Sequence, residues 1–374
     1  MNNPFPCGAS VAVIGLGNTG SQVVPLLGGV ESIERVLLID PDRYDSSNAG
    51  RQRIAPNDVG RPKVQVQARA LRRLAPRLVV KTYSQPVEAV PLGKLRGYVL
   101  LSCVDSRAAR QSINHASFAL GTPWIDAGLD RDGQVRARTY LPEDGDCIEC
   151  SWGPRDYELL EQRVPCAGAP GAGGSTPQVQ ATAAVQEFGA VAAGLQVSLL
   201  RGLLSGKRQA ADNLGRQWFY DIASGRGWTG TYTLNPACHL DHTRWAITDL
   251  ARGAAGVTLR EALALPGGDG ADIAFMVEGQ VFVRRLRCPR CGASRHIASR
   301  LHTRFAAHRC RRCAVAMAAS AADVTDVLTL RSASARALES PLSRLGLVDG
   351  DIFALQSPTG TTYYHLRGAR QEAC

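Results

Sequence analysis

Gly15, Gly17 and Gly20 stand in G-x-G-x-x-G spacing inside "SVAVIGLGNTGSQVVPLLGG", after an apolar run and at the head of a helical pattern. Glycines so placed permit a tight turn and a close approach of backbone to phosphate, and the helix N-terminus adds its dipole. Asp40 closes the next apolar run, "IERVLLID". That is the distance at which an acid can hold ribose hydroxyls. Asp42, Asn48, Arg51, Gln52 and Lys63 then crowd into the following segment, "PDRYDSSNAGRQRIAPNDVGRPK". Cations and amides at the mouth of a nucleotide site suit a triphosphate, because they neutralise charge that builds on departing pyrophosphate. Asp105 ends the apolar run "GYVLLSCVD", where a carboxylate can hold Mg²⁺. Any one of these residues could belong to a solvated loop, but the set reads as a nucleotide site.

A second chemistry is written in sulfur. Six of the eleven cysteines form C-x-x-C pairs, Cys147/Cys150, Cys288/Cys291 and Cys310/Cys313. In a chain without a visible secretion signal this pattern favours zinc over disulfides. Cys288, Cys291, Cys310 and Cys313 spell "CPRC … CRRC", a zinc-ribbon spacing in which two knuckles present four thiolates. Arg284, Arg285, Arg290, Arg311 and Arg312 surround them and suit nucleic acid, the thiolates themselves or an acidic protein face. Nucleic acid is the lesser expectation of the three.

Strand-like and helical patterns alternate up to about Leu129, which implies a parallel sheet covered on both faces. The fold class expected is α/β, a Rossmann-like doubly wound sheet with an added zinc ribbon and a small C-terminal β-containing module. The boundaries expected are 1–252, 253–320 and 321–374. A long helix is expected after a cap at Ser175 or Thr176, and antiparallel strands within "QWFYDIASGRGWTGTYTL". The 374 residues are 45% hydrophobic and 20% charged, an ordinary globular composition, with a net charge of +10. That charge permits an acidic or polyphosphate partner without naming one. No apolar run reaches the roughly 18 residues of a membrane span, and "MNNPFPCGAS" has no signal-peptide pattern, so a cytoplasmic location is expected.

The run "GLGNTG … LLIDPDRYDSSNAGRQ … GRPKV … CVDSRAAR … CIEC", within about residues 8–245, resembles the ThiF/MoeB/HesA family of adenylating enzymes, bacterial relatives of ubiquitin-activating enzymes. The resemblance implies an adenylation domain that uses ATP and Mg²⁺ to activate the C-terminal glycine of a ubiquitin-like protein. In that reading Gly15, Gly17 and Gly20 cradle phosphate, Asp40 holds ribose and Asp42 supports that side. Asn48, Arg51, Gln52 and Lys63 contact the triphosphate, and Asp105 binds Mg²⁺. Cys147 and Cys150 match the first half of the family's structural zinc site. The second half departs from the pattern: "NPACHLDH" offers Cys238 and then His242 as fourth ligand, with His239 and Asp241 as alternatives. Cys166, in "RVPCAGAPGAGG", is the candidate nucleophile for a thioester after adenylation. A homodimer and a ubiquitin-conjugating-like partner enzyme are also implied. Activation of a sulfur-carrier protein or peptide is the alternative within the family. An NAD-dependent oxidoreductase and a non-catalytic zinc-ribbon scaffold are the alternatives outside it. His115, on an amphipathic helix, reads as structural.

Overall fold

The computed structural model describes residues 8–48, 50–129, 133–142, 145–161, 186–206, 216–266, 273–300 and 308–368. Cys166 and the expected cap at Ser175 or Thr176 lie outside the described residues. The chain divides into two compact units, 1–90 with 95–244, and 91–94 with 245–374.

The first unit carries β1 (Ala9–Ile14), α1 (Asn18–Leu27), β2 (Ile33–Ile39), α2 (Lys63–Leu74) and β3 (Val79–Tyr83). It continues with β4 (Val99–Ser102), α3 (Arg107–Leu120), β5 (Trp124–Leu129), β6 (Gln134–Tyr140), α4 (Pro154–Glu161) and α5 (Gln186–Ser205). A hairpin of β7 (Arg216–Asp221) and β8 (Arg226–Thr231) completes it, as the sequence predicts. The sheet runs β3-β2-β1-β4-β5-β6-β7-β8. Its first five strands are parallel and the remaining neighbours antiparallel. Every residue of β1 and β4 is buried, which is why both read as unbroken apolar runs.

The strand order reverses between β1 and β4, so their C-terminal ends open a crevice where such sheets take ligands. Gly15, Asp40 and Asp105 follow the ends of β1, β2 and β4. Helix α5 is long and apolar enough to cross a membrane by length alone. Here it packs on α1, β5 and β6, burying Ala192, Ala193, Gln196, Val197 and Leu200.

The second unit holds β9 (Ile247–Leu250), α6 (Leu259–Leu263), β10 (Ala274–Met276), β11 (Phe282–Arg287) and β12 (Ser294–Arg300). After these come β13 (Val324–Thr325), β14 (Val327–Leu328), α7 (Ala335–Leu338), β15 (Ile352–Ser357) and β16 (Gly360–Leu366). One sheet runs β14-β10-β15-β16-β9 and a smaller one β12-β11-β13. The ribbon is therefore an insertion between two strands of the larger sheet, and contacts divide the chain at Arg244/Trp245 rather than at 252 and 320. The reason is apolar surface. Leu259, Leu263 and Phe275 join Phe353, Leu355 and Leu366 in one core, while among the described residues the ribbon buries a separate cluster of Val283, Leu286, Cys288, Cys310 and Met317.

Gln196 is a fully buried polar residue of α5 in the first unit. Its amide donates to the carbonyls of Ser102 at 2.9 Å and Ile125 at 2.7 Å, and accepts from the Cys103 thiol at 3.2 Å. It thereby ties α5 to the last residue of β4 and the second residue of β5 through their carbonyls. Gln196→Ala should cost about 2–4 kcal/mol, from the lost hydrogen bonds plus a cavity. Urea unfolding measures it, and an unchanged midpoint would contradict this role.

Candidate nucleotide site and cysteine clusters

The glycine loop is shaped by contacts of the chain with itself at two of its glycines. Gly15 has φ +88°, and a Cβ there would lie 2.6 Å from the Cys103 carbonyl oxygen. A Cβ on Gly20 would lie 2.0 Å from the Gly15 carbonyl oxygen, so only glycine lets the helix start this close to the strand. Gly17 is different. A Cβ there would have one neighbour within 4 Å, the Gln52 Nε2 at 4.0 Å, so its missing side chain leaves open space at the head of α1. That is the room a phosphate needs over the N–H groups of a helix start.

Asp40 is buried, and it staples the loop. One carboxylate oxygen accepts from the Leu16 N–H at 2.6 Å and the other from the Asp42 N–H at 2.8 Å. Burial pushes its pKa up, against the pull of Lys63 and these two N–H groups. Each oxygen keeps a second lone pair, so a ribose hydroxyl can still donate to it. Asp42 forms an ion pair with Lys63 at 3.0 Å; the lysine side chain is 9% exposed and the aspartate 62%. Lys63 also lies 5.8 Å from the centre of the Tyr44 ring. In this structure the lysine is thus held by Asp42.

Asn48 shapes the turn ahead of it. Its side chain accepts from the Asp45 N–H at 3.0 Å, and its carbonyl accepts from the N–H groups of Arg51 and Gln52. Gln52 is thereby turned toward Gly17, and its buried Oε1 has no partner among the described residues. Such an orphaned acceptor fits a donor supplied by a ligand. Arg51 and Asp105 are exposed.

Sequence reasoning missed the residues that hold this frame. The Tyr44 hydroxyl donates to the Leu16 carbonyl at 3.2 Å and accepts from Gln67 at 2.8 Å. Arg110 donates to Asp126 at 2.9 Å and to the Val104 carbonyl at 2.7 Å, anchoring the residue before Asp105. Ser102 completes that buried cluster with a 2.7 Å bond to Asp126. A polar residue inside an otherwise apolar strand or helix pattern is the signal that could have found them.

Cys147, Cys150, Cys238 and His242 offer four ligand atoms within 4.8 Å of one another, as do Cys288, Cys291, Cys310 and Cys313. In the first group Cys147 and Cys238 sulfurs are 3.6 Å apart, Cys147 and Cys150 3.8 Å, and Cys150 and the His242 Nε2 3.3 Å. In the second the sulfur separations include 3.3, 3.5 and 3.8 Å. A tetrahedral zinc with Zn–S of about 2.3 Å wants donors about 3.8 Å apart, so both sets fit the ion. Of the alternatives at the first site, His239 is stacked on Tyr157 at 3.9 Å and the Asp241 carboxylate accepts from the Thr243 N–H. His242 has φ +56°, a left-handed backbone that a side chain resists and that metal ligation can offset.

Glu149, between the first two cysteines, is fully buried and takes hydrogen bonds from Gln111, Asn114 and His115 of α3. Burial opposes its ionisation, but the bonds from His115 and Gln111 outweigh that and hold its carboxyl below the ordinary range. His115 is therefore structural, as read, by orienting this knuckle. In the ribbon, backbone N–H groups of Cys291 and Arg290 favour the Cys288 thiolate and hold its pKa down to about 6. The two ribbon knuckles match: Gly292 at φ +68° and Ala314 at φ +57° each follow the second cysteine of a pair.

Metal analysis of the purified protein should find about two zinc ions per chain. His242→Ala and Cys291→Ala should each lose one, and His239→Ala should lose none. Full zinc retention in His242→Ala would show that another group completes the first site.

Comparison with known proteins bears on the first unit. The model of the ThiF family matches residues 8–240. The sulfur carrier protein ThiS adenylyltransferase of Escherichia coli K12 is 34% identical over 167 residues, covering 44% of this chain and 65% of that protein. Ubiquitin-like modifier-activating enzyme 5 of Oryza sativa subsp. japonica is 28% identical over 158 residues, 38% of this chain and 37% of that one. The chain thus spans about two thirds or less of these relatives. Among solved structures, E. coli MccB with ATP is similar at TM-score 0.48 and 19% identity, over 62% of this chain and 66% of that one. The match runs through more than half of the chain and contains the glycine loop, Asp40, the segment from Asn48 to Lys63, and Asp105. The chain belongs to the ThiF family.

Proposed function

We propose that the protein uses ATP to adenylate the C-terminal carboxylate of a small protein ending in glycine. The observation that carries this reading is the meeting of Gly17 and Gln52: open space over a helix start, faced by a buried acceptor without a partner among the described residues. In the reaction a carboxylate oxygen attacks the α-phosphorus of ATP. A new O–P bond forms, the bond to the pyrophosphate bridge breaks, and that electron pair leaves with pyrophosphate. The glycine-loop N–H groups bind phosphate, and Asp40 keeps the loop in shape while accepting from ribose. Arg51, and Lys63 drawn from Asp42, neutralise the leaving charge, while Gln52 orients the phosphates. Mg²⁺ held by Asp105 would supply further charge neutralisation when bound. Zinc in the two cysteine clusters is structural in this proposal. An NAD-dependent dehydrogenase would leave Arg51, Gln52 and Lys63 without a task.

The substrate in this reading is a ubiquitin-like protein, which passes from the adenylate to the Cys166 thiolate as a thioester with release of AMP, and then to a conjugating-type enzyme. A homodimeric, cytoplasmic enzyme belongs to the same reading. Activation of a sulfur-carrier protein is the second reading. It draws support from the higher identity to the E. coli relative whose name carries that activity.

ATP–pyrophosphate exchange, stimulated by a glycine-terminated partner, tests the proposal. Arg51→Ala and Asp105→Ala should each lower exchange by about 10²–10³ with the fold intact. Exchange that persists in Asp105→Ala would overturn its role. Cys166→Ala should keep exchange and lose the thioester; a retained thioester would place the nucleophile elsewhere, and none in the parent protein would favour the sulfur-carrier reading.

A further inference from the structure

The excess positive charge of the chain is concentrated in the ribbon. Residues 282–325 contain ten arginines and one acid, Asp323, a net +9 against +10 for the whole protein. A zinc ion on four thiolates is formally a dianion, so metal loading leaves the ribbon at about +7. Neutralising the thiolates therefore accounts for a minority of these arginines.

Arg304 lies outside the described residues, and the structure divides the other nine by what they hold. Arg285 and Arg287 share the buried Asp323, at 2.8 and 3.5 Å, and Arg300 pairs with Asp351 at 2.7 Å. Arg284 and Arg309 donate to the carbonyls of Ala322 and Ala314. Arg290, Arg295, Arg311 and Arg312 are exposed and have no acceptor among the described residues. Arg290 sits inside the first knuckle and Arg311 and Arg312 inside the second. The 3.5 Å approach of Cys291 to Cys310 brings these knuckles to one end of the ribbon. Arg295, paired across from Leu286, starts the strand that leaves the first knuckle.

We propose that this end of the ribbon is a docking surface for the phosphate backbone of duplex nucleic acid, bound without base readout. Charge and donor geometry supply the attraction, since each guanidinium can bridge phosphate oxygens with paired N–H groups. An acidic protein fits less well. Protein interfaces are anchored by buried aromatic or large apolar side chains, and no exposed large hydrophobic residue lies in this segment among the described residues. Among the described residues the segment exposes no Phe, Tyr or Trp ring for single strands to stack on, since Phe282 is buried. Phosphate contacts on a duplex need neither. This reverses the expectation from sequence, and the reversal comes from the surface chemistry. It is independent of the adenylation reading.

The test is fluorescence anisotropy of the full-length, zinc-loaded protein on a random-sequence 24-base-pair duplex, as DNA and as RNA, across a salt series. Binding should strengthen steeply as salt falls. The quadruple variant R290A/R295A/R311A/R312A should lower the slope of log affinity against log salt by about 3–4. The control R73A/R155A/R216A/R226A, which removes the same charge from the first unit, should leave the slope unchanged. Retained zinc content shows that the variant is folded; should it lose zinc, R295A alone should lower the slope by about one. Three results would each overturn the proposal: no duplex binding at 50 mM salt, equal loss in the control, or displacement of the duplex by polyglutamate at equal charge concentration.

Discussion

The Asp40 carboxylate is the junction on which the nucleotide site depends. It accepts from Leu16 in the glycine loop and from Asp42 in the segment after β2, tying the ends of the adjacent strands β1 and β2 together beside the crevice. Asp42 then holds Lys63 at the start of α2, and Tyr44 reaches back from the same segment to the Leu16 carbonyl. A charged group is kept in a buried place because its hydrogen bonds and its neighbouring cation offset much of the desolvation. The result is a loop whose shape is set before any nucleotide arrives, so less ordering remains for binding to supply.

The second unit follows a different logic. Its larger sheet is held by stacked aromatics, with Phe275 and Phe353 centred 4.9 Å apart. In the ribbon inserted into it, Cys288 and Cys310 belong to the apolar cluster itself, so the paired knuckles tie together the strands that this cluster covers. The ribbon and its charge lie outside the ThiF family match.

Much of this was legible in the amino-acid sequence because it depends on local rules. The glycine spacing, the apolar runs of β1 and β4, and both ribbon pairs are short-range patterns whose geometry is the same in any context. Cys238 and His242 were legible as candidates, and three-dimensional placement separated His242 from its neighbour His239, which stacks on Tyr157. What stayed hidden depends on partners far apart in the chain. Gln196 serves carbonyls of residues more than seventy positions away, and Glu149 is held by a helix over thirty positions earlier. The insertion of the ribbon was hidden for the same reason, since the partners of Leu259 and Phe275 lie beyond it at Phe353 and Leu355.

Label transfer tests the central claim most directly. The Cys166→Ala protein, which stops at the adenylate, is incubated with a glycine-terminated partner and either α-³²P- or γ-³²P-labelled ATP, and the partner is then isolated. The account predicts that α-label travels with the partner in a linkage that hydroxylamine cleaves, while γ-label leaves as pyrophosphate. Label on the partner from the γ-phosphate, or release of ADP in place of AMP, would contradict it.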